Sequence, residues 1–197
     1  MKCRKENKNF SNQLLRESRQ TVRFDVGCDL DEFRRYHRTS GVHDYLKSVG
    51  VTDGYDENLN YMLNVVIKDP SQLIVWRENG KIVGHAVWHE SDTKEHRKGD
   101  PREREDKEAL EKLLGGKKDF VELHEIWLIE EYRGKGYGEM FHDFFEKFMK
   151  DKGYSDIVFY ANHPAAVAMC HKHGYKEGGY LKGLKEYVFY LSLKKNP

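Results

Sequence analysis

Residues 122–149 read ELHEIWLIEEYRGKGYGEMFHDFFEKFM. The run LHEIWLI (123–129) is apolar and β-rich and predicts a strand. Beyond it, Met140, Phe141, Phe144, Phe145 and Phe148 fall at helical spacing, which predicts a helix over 136–153 with an aromatic core face. Between strand and helix stands RGKGYG (133–138), with three glycines at alternate positions. The first N–H groups of a helix lack partners, and the dipole adds roughly half a positive charge there. Alternate glycines let such a backbone curl tightly and let a ligand approach without meeting a Cβ. Arg133 and Lys135 add charge. The stretch predicts an anion site suited to a pyrophosphate, with an ordinary tight turn as the plain alternative. It is not a P-loop, since GxxxxGK[ST] is absent. The dinucleotide fingerprint GxGxxG would need glycine where Glu139 stands.

The flanking sequence predicts a mixed sheet. TVRFDVG (21–27) alternates apolar and polar residues and reads as a first strand. Asp29 can cap a helix, with Glu32 at its third position and Gly41 as its stop. A second helix is expected at 57–68. LIVWRENGKIVGHAVWHE (73–90) reads as a hairpin about Asn79-Gly80, a pair suited to a type I′ turn. Residues 91–119 are almost all charged and read as an insertion. Within it Asp100, Pro101 and Glu103 can cap a surface helix that Gly115 ends, with Leu110, Leu113 and Leu114 as a narrow apolar stripe. DIVFYAN (156–162) reads as a buried strand, Pro164–His173 as a short helix, and the C-terminal run as one or two closing strands. The order β-α-α-β-β-(insertion)-β-α-β-α-β-β describes an α/β or α+β domain with a mixed, mostly antiparallel sheet. The expected division is a polar extension over 1–20 and one domain over 21–197.

Composition narrows the function. The chain has 197 residues, 34 Lys plus Arg, 33 Asp plus Glu and a net charge of +1. That balance argues against nucleic-acid or polybasic membrane partners. Mean hydropathy is −0.85, and no run approaches the ~18 apolar residues of a membrane span. The first 20 residues lack the apolar segment of a secretory signal. Cys3, Cys28 and Cys170 are far apart and form no CxxC, which fits a reducing cytoplasm.

The stretch 122–149 resembles the central motif of the GNAT superfamily, the acyl-CoA-dependent N-acetyltransferases. Its pattern [QR]-x-x-G-x-[GA], opening a helix after a strand and an acidic-aromatic loop, is filled by Arg133, Gly136 and Gly138. IVFYANHPAAVAMCHKHGYKEGG (157–179) is similar to the family's second motif, more loosely. The resemblance implies a GNAT-type sheet with two splayed parallel strands and acetyl-CoA as acyl donor. The backbone of Ile126, Trp127 and Leu128 would hold the pantetheine arm. Arg133, Gly134, Lys135, Gly136, Tyr137, Gly138 and Glu139 would hold the pyrophosphate. Asn162 would hydrogen-bond the pantetheine, with His163 as competitor.

The acceptor would be a primary amine of a small molecule or a protein, with the oxyanion on a strand amide, that of Leu128. A protonated amine must lose a proton. Glu122 and His124 stand two apart on the strand and so share a face. Glu122, eleven positions before Arg133, is where several family members carry their base; His124 is the second candidate and Glu125 points away. Where the family often has a tyrosine acid, this chain has Cys170, either a proton donor or a small packed residue. Ile157 replaces a glutamate used by some protein N-terminal acetyltransferases. No metal is expected, because Cys170 and His171 face different sides of their helix. An acyl-CoA-binding module without turnover is the alternative function, and a homodimer is left open.

Overall fold

The computed structural model describes residues 22–49, 55–92, 101–117 and 119–194. The expected extension 1–20 and the cap residue Asp100 lie outside them, as do the side chains of Pro101 and Glu103. Strand β1 (Arg23–Val26) leads to helix α1 (Leu30–Thr39), α2 (Val42–Ser48) and α3 (Tyr55–Lys68). Then come β2 (Leu73–Glu78), β3 (Lys81–Asp92), α4 (Pro101–Leu114), β4 (Asp119–Leu128), α5 (Tyr137–Asp151), β5 (Asp156–Ala161), α6 (Pro164–Lys172), β6 (Lys176–Leu181) and β7 (Glu186–Ser192). The Asp29 side chain accepts the Glu32 amide at 2.8 Å, as its cap position requires. One helix more is present than the pattern predicts. Gly41, in the left-handed region at φ +82°, both ends the turn after α1 and caps α2. Asn79 and Gly80 carry the two positive φ values of a type I′ turn, +50° and +80°.

One sheet runs β1-β2-β3-β4-β5-β7-β6. Every neighbouring pair is antiparallel except β4 and β5, which run parallel. Alternation along the strands sends two sets of side chains to two covered faces. On one face Trp76, Trp88, Leu123 and Phe159 pack with Phe141, Phe145 and Met149 of α5. On the other, Val75 and Val87 pack with Phe33 of α1 and Leu59, Met62 and Leu63 of α3. Each such side chain contributes roughly 1.5–3 kcal/mol by leaving water. No helix among the described residues is long and apolar enough to cross a membrane.

Helix α4 is more than a solvated ornament. Leu110, Leu113 and Leu114 are buried against Phe120, Val158, Leu181 and Val188, so α4 covers the β5–β7–β6 half of the second face. Gly178 is needed beneath it, since a Cβ there would stand 2.5 Å from Leu113 Cδ1. Glu105 accepts the amides of Lys182 and Gly183 at 3.1 Å each, tying the helix to the β6–β7 turn. Between α1–α3 and α4 this face carries polar side chains, among them Glu122 on β4 and Glu186 at the start of β7.

Candidate active site

The parallel pairing of β4 with β5 is short, joining only Val121 to Ile157, Glu122 to Val158 and Leu123 to Phe159. Beyond Leu123, β4 continues to Leu128 paired with β3 alone, so β4 and β5 part company. Ile129 N–H donates to Val83 O at 3.0 Å. Antiparallel alternation then directs the N–H and C=O of Ile126 and Leu128 away from β3, into the opening, while those of Trp127 face β3. The strand ends in a short 3₁₀ turn, Glu130–Tyr132, and the glycine loop follows. Gly134 (φ +72°) and Gly136 (φ +84°) are left-handed, and a Cβ at either would meet nothing within 4 Å. The first bond of α5 runs from Met140 N to Gly136 O at 3.1 Å. The amides of Gly138 and Glu139 therefore have no acceptor within the helix.

Arg133 does not point into this loop. Its Nε donates to Leu128 O at 2.9 Å, and its guanidinium lies 4.5 Å from the Trp127 ring. Lys135 Nζ lies 5.0 Å from the Tyr132 ring. The positive character of the loop thus comes from backbone amides more than from these side chains.

The second face of β4 carries carboxylates and imidazoles. Glu122 Oε1 lies 3.5 Å from His89 Nε2 and 3.6 Å from His124 Nδ1. A β-bulge falls here: Val87 pairs with Glu125 and Trp88 with Leu123, leaving His124 as the extra residue. The bulge turns Glu125 onto the face of Glu122 and His124, correcting the simple alternation that sent it to the other side. Glu125 Oε1 meets His37 Nε2 at 2.9 Å and His85 Nε2 at 2.6 Å. The Nδ1 atoms of those rings meet the hydroxyls of Tyr55 and Tyr36 at 2.7 and 3.3 Å. Burial opposes the charge on Glu125, but the two imidazoles outweigh it and hold the carboxyl far below the usual range.

That charge orients the next group. Asn58 Nδ2 donates to Glu125 Oε2 at 3.2 Å, so Asn58 Oδ1 must accept, at 3.0 Å, from His124 Nε2. The other nitrogen of His124 faces Glu122. Burial also opposes the charge on Glu122, and the contacts with His124 and His89 overcome it, bringing the carboxyl down to about 2.

Glu186 is the opposite case. It opens β7 two residues before Val188 and so faces α4. Its Oε1 accepts from Asn162 Nδ2 at 3.2 Å, and Asn162 Oδ1 accepts from Tyr45 OH at 3.1 Å. Burial pushes Glu186 up to about 7; His124 opposes, and Glu122 and Asp106 add to the rise. Asp106, on α4, accepts from Tyr160 OH at 2.8 Å.

A sheet that parts at one parallel pair, with a glycine-rich helix start at its mouth, fits a known family. Residues 32–175 match the family described as acetyltransferase (GNAT) family. The chain belongs to that family and is an acetyltransferase. Among solved structures, Drosophila melanogaster polyamine N-acetyltransferase is 13% identical, with a TM-score of 0.67 over 87% of this chain and 100% of that one. Arylalkylamine N-acetyltransferase 2 from Aedes aegypti is 14% identical, with a TM-score of 0.61 over 88% and 100%. PaiA N-acetyltransferase from Thermoplasma acidophilum, in complex with coenzyme A, is 13% identical, with a TM-score of 0.59 over 87% and 99%. At such identities these show a shared fold. No curated protein matches the chain.

Within the GNAT frame the sequence-read residues divide. The structure brings together Glu122 and His124 on one face of β4, and sets Ile126, Leu128 and Gly134–Glu139 around the opening. Glu139 is paired with Lys172 Nζ at 2.7 Å. Asn162 stands at the end of β5 as expected, but its amide is engaged by Tyr45 and Glu186. His163 caps α6, its Nδ1 accepting from Ala165 N at 3.1 Å. Cys170 has 0% exposure in the core, and burial raises its thiol to about 12, so it is a packed residue and not a group presented to the cleft. Sequence reading missed Glu186, His89, Asn58 and the Glu125 network. His85 and His89, four apart on one strand, could have announced a shared imidazole face; nothing local announced Glu186.

Proposed function

We propose that this GNAT enzyme transfers an acetyl group from acetyl-CoA to a primary amine of a small, cationic molecule. The observation that carries this is a face beside the strand opening that holds two carboxyls in different company, Glu122 within 3.6 Å of His89 and His124 and Glu186 on the Asn162 amide, so that the imidazoles bring Glu122 down to about 2 while burial pushes Glu186 up to about 7. Environments that drive two acids apart assign them different tasks. An ionised Glu122 suits an ammonium group and makes a poor proton acceptor. Glu186, poised near neutral pH, suits the proton transfer. This moves the base from Glu122, the first choice from sequence, to Glu186.

The glycine loop and the first turn of α5 fit a pyrophosphate, since the Cβ positions of Gly134 and Gly136 are open and the amides of Gly138 and Glu139 have no helical acceptor. Ile126 and Leu128 offer a strand edge to a pantetheine arm. Acetyl-CoA supplies a thioester whose acetyl carbon takes the amine nitrogen as its C–S bond breaks. Glu122 holds the incoming ammonium, Glu186 takes its first proton and passes it to solvent, and the Leu128 amide donates to the carbonyl oxygen as charge develops on it. After attack the nitrogen gives its second proton to Glu186, which hands it to the departing thiolate, leaving CoA-SH and the neutral acetamide.

The solved relatives named for polyamine and arylalkylamine acetylation make such amines the natural first panel. Thiol release from acetyl-CoA is measured with diamines, arylalkylamines and a peptide N-terminus. Turnover on diamines at least tenfold above the peptide is expected. Tight CoA binding with no thiol release on any amine would favour a binding module instead.

A further inference from the structure

Three groups of histidine and carboxylate among the described residues bring one ligand atom each within 4.8 Å of the others. Two of them, His37–His85–Glu125 and His89–Glu122–His124, belong to the acceptor face. The third, His142–Glu146–His173, lies on the opposite face of the sheet and has no place in acyl transfer. His142 and Glu146 stand one turn apart on α5, and His173 caps the C-terminus of α6. His173 Nδ1 lies 3.1 Å from Glu146 Oε1 and 4.0 Å from Asp143 Oδ1. The His142 and His173 rings are 4.9 Å apart.

What sets this group apart is an unmet polar demand. His142 is 1% exposed, and its buried Nδ1 has no hydrogen-bond partner. The Tyr175 hydroxyl, whose ring is 5.8 Å from that of His142, is likewise buried without a partner. Leaving a buried polar atom unsatisfied costs about 1–3 kcal/mol. In the His37–His85–Glu125 group, by contrast, every ring nitrogen has a partner.

We propose that His142, Glu146 and His173 form a binding site for a divalent transition-metal ion of the Zn²⁺ type. The donor set, two imidazoles and one carboxylate, suits a borderline cation. Tetrahedral bonds of about 2.0–2.1 Å place ligand atoms roughly 3.4 Å apart, close to the 3.1 Å between His173 and Glu146. The side chain of Asp143 is 75% exposed and can turn to supply a fourth oxygen; otherwise water does. The ion clips the middle of α5 to the end of α6. The site differs from the cysteine-containing cluster that the sequence argued against, because its other ligands come from α5.

The test uses the full chain stripped with chelator and titrated with Zn²⁺ by calorimetry, and with Co²⁺ by visible absorption. One site per chain, a tetrahedral Co²⁺ spectrum and a rise in Tm with Zn²⁺ are expected. Glu146→Gln and His173→Ala, both at partly exposed side chains, should weaken binding at least tenfold, whereas Glu122→Gln should not. Retention of full affinity in both Glu146→Gln and His173→Ala, loss of the site in Glu122→Gln, or no saturable binding up to about 100 μM would overturn the proposal.

Discussion

Glu186→Gln separates catalysis from stability in one substitution, because the two effects have opposite sign. The carboxyl rises from an ordinary 4.5 to about 7 in the folded protein. The folded state therefore keeps its proton between those values, where the unfolded chain has lost it. Stability falls as pH climbs through that window, and the full cost is present above about pH 7. At 1.36 kcal/mol per pH unit the cost reaches about 3 kcal/mol, an upper bound because the side chain keeps some contact with solvent. Glutamine has nearly the same shape, can still accept from Asn162, and does not ionise. The variant should match the parent in denaturant unfolding near pH 4 and exceed it by up to about 3 kcal/mol at pH 8. Its kcat should fall by roughly 10²–10⁴-fold. In the parent, kcat/KM should rise with pH toward a plateau above about 7, as Glu186 loses its proton. Equal destabilisation of the variant at both pH values, with kcat unchanged, would refute the reasoning. Glu186 would then be a structural partner of Asn162 and nothing more.

Three further outcomes follow from the same geometry. Glu122→Gln should raise KM for a diamine at least tenfold while lowering kcat less, and steady-state kinetics showing the reverse split would return the base to Glu122. Gly136→Val forces a β-branched residue to φ +84°; it should weaken acetyl-CoA at least tenfold by calorimetry while far-UV circular dichroism stays native. Cys170→Ala should keep activity within about tenfold and cost about 1 kcal/mol in denaturant unfolding, from lost packing; a thousandfold loss with acetyl-CoA binding intact would instead make the thiol essential.

The parts of the molecule written in adjacent residues could be read from the chain. RGKGYG states its own turn, since only glycine adopts +72° and +84° cheaply, and Asn79-Gly80 states the hairpin. Asp29 states a cap, and the aromatic spacing of α5 states its buried face. What the chain left open was decided between distant segments. Cys170 occupies a position that family likeness tied to chemistry, but whether a side chain reaches a cleft depends on the core around it. Arg133 looked like a phosphate ligand by its neighbours in sequence; Trp127 and the Leu128 carbonyl claim it in space. Glu186 opens a strand like many others. Burial in the folded chain, against the pull of His124 and with Glu122 and Asp106 nearby, gives it an unusual proton affinity. The charge of α4 suggested a bystander, yet its three leucines close the core beneath Glu186 and its Asp106 reaches Tyr160.

The residue that joins fold to chemistry is His124, because it is one residue too many. Its bulge lies immediately after Leu123, the last residue of β4 to pair with β5. A bulge bends its strand and sharpens the local twist. Here the bend falls where β4 leaves β5, which opens the strand edge of Ile126 and Leu128. The same extra residue reverses the alternation, so that Glu122, His124 and Glu125 crowd one face instead of dividing between two. Crowding carboxylates on one face is costly unless cations or imidazoles stand among them. His37, His85 and His89 stand there, with Asn58 fixing the ring of His124 between them. The histidines therefore do two jobs. They keep Glu122 and Glu125 ionised, whereas at Glu186 burial outweighs the pull of His124 and pushes the carboxyl up to about 7, the value the proposed proton transfer needs.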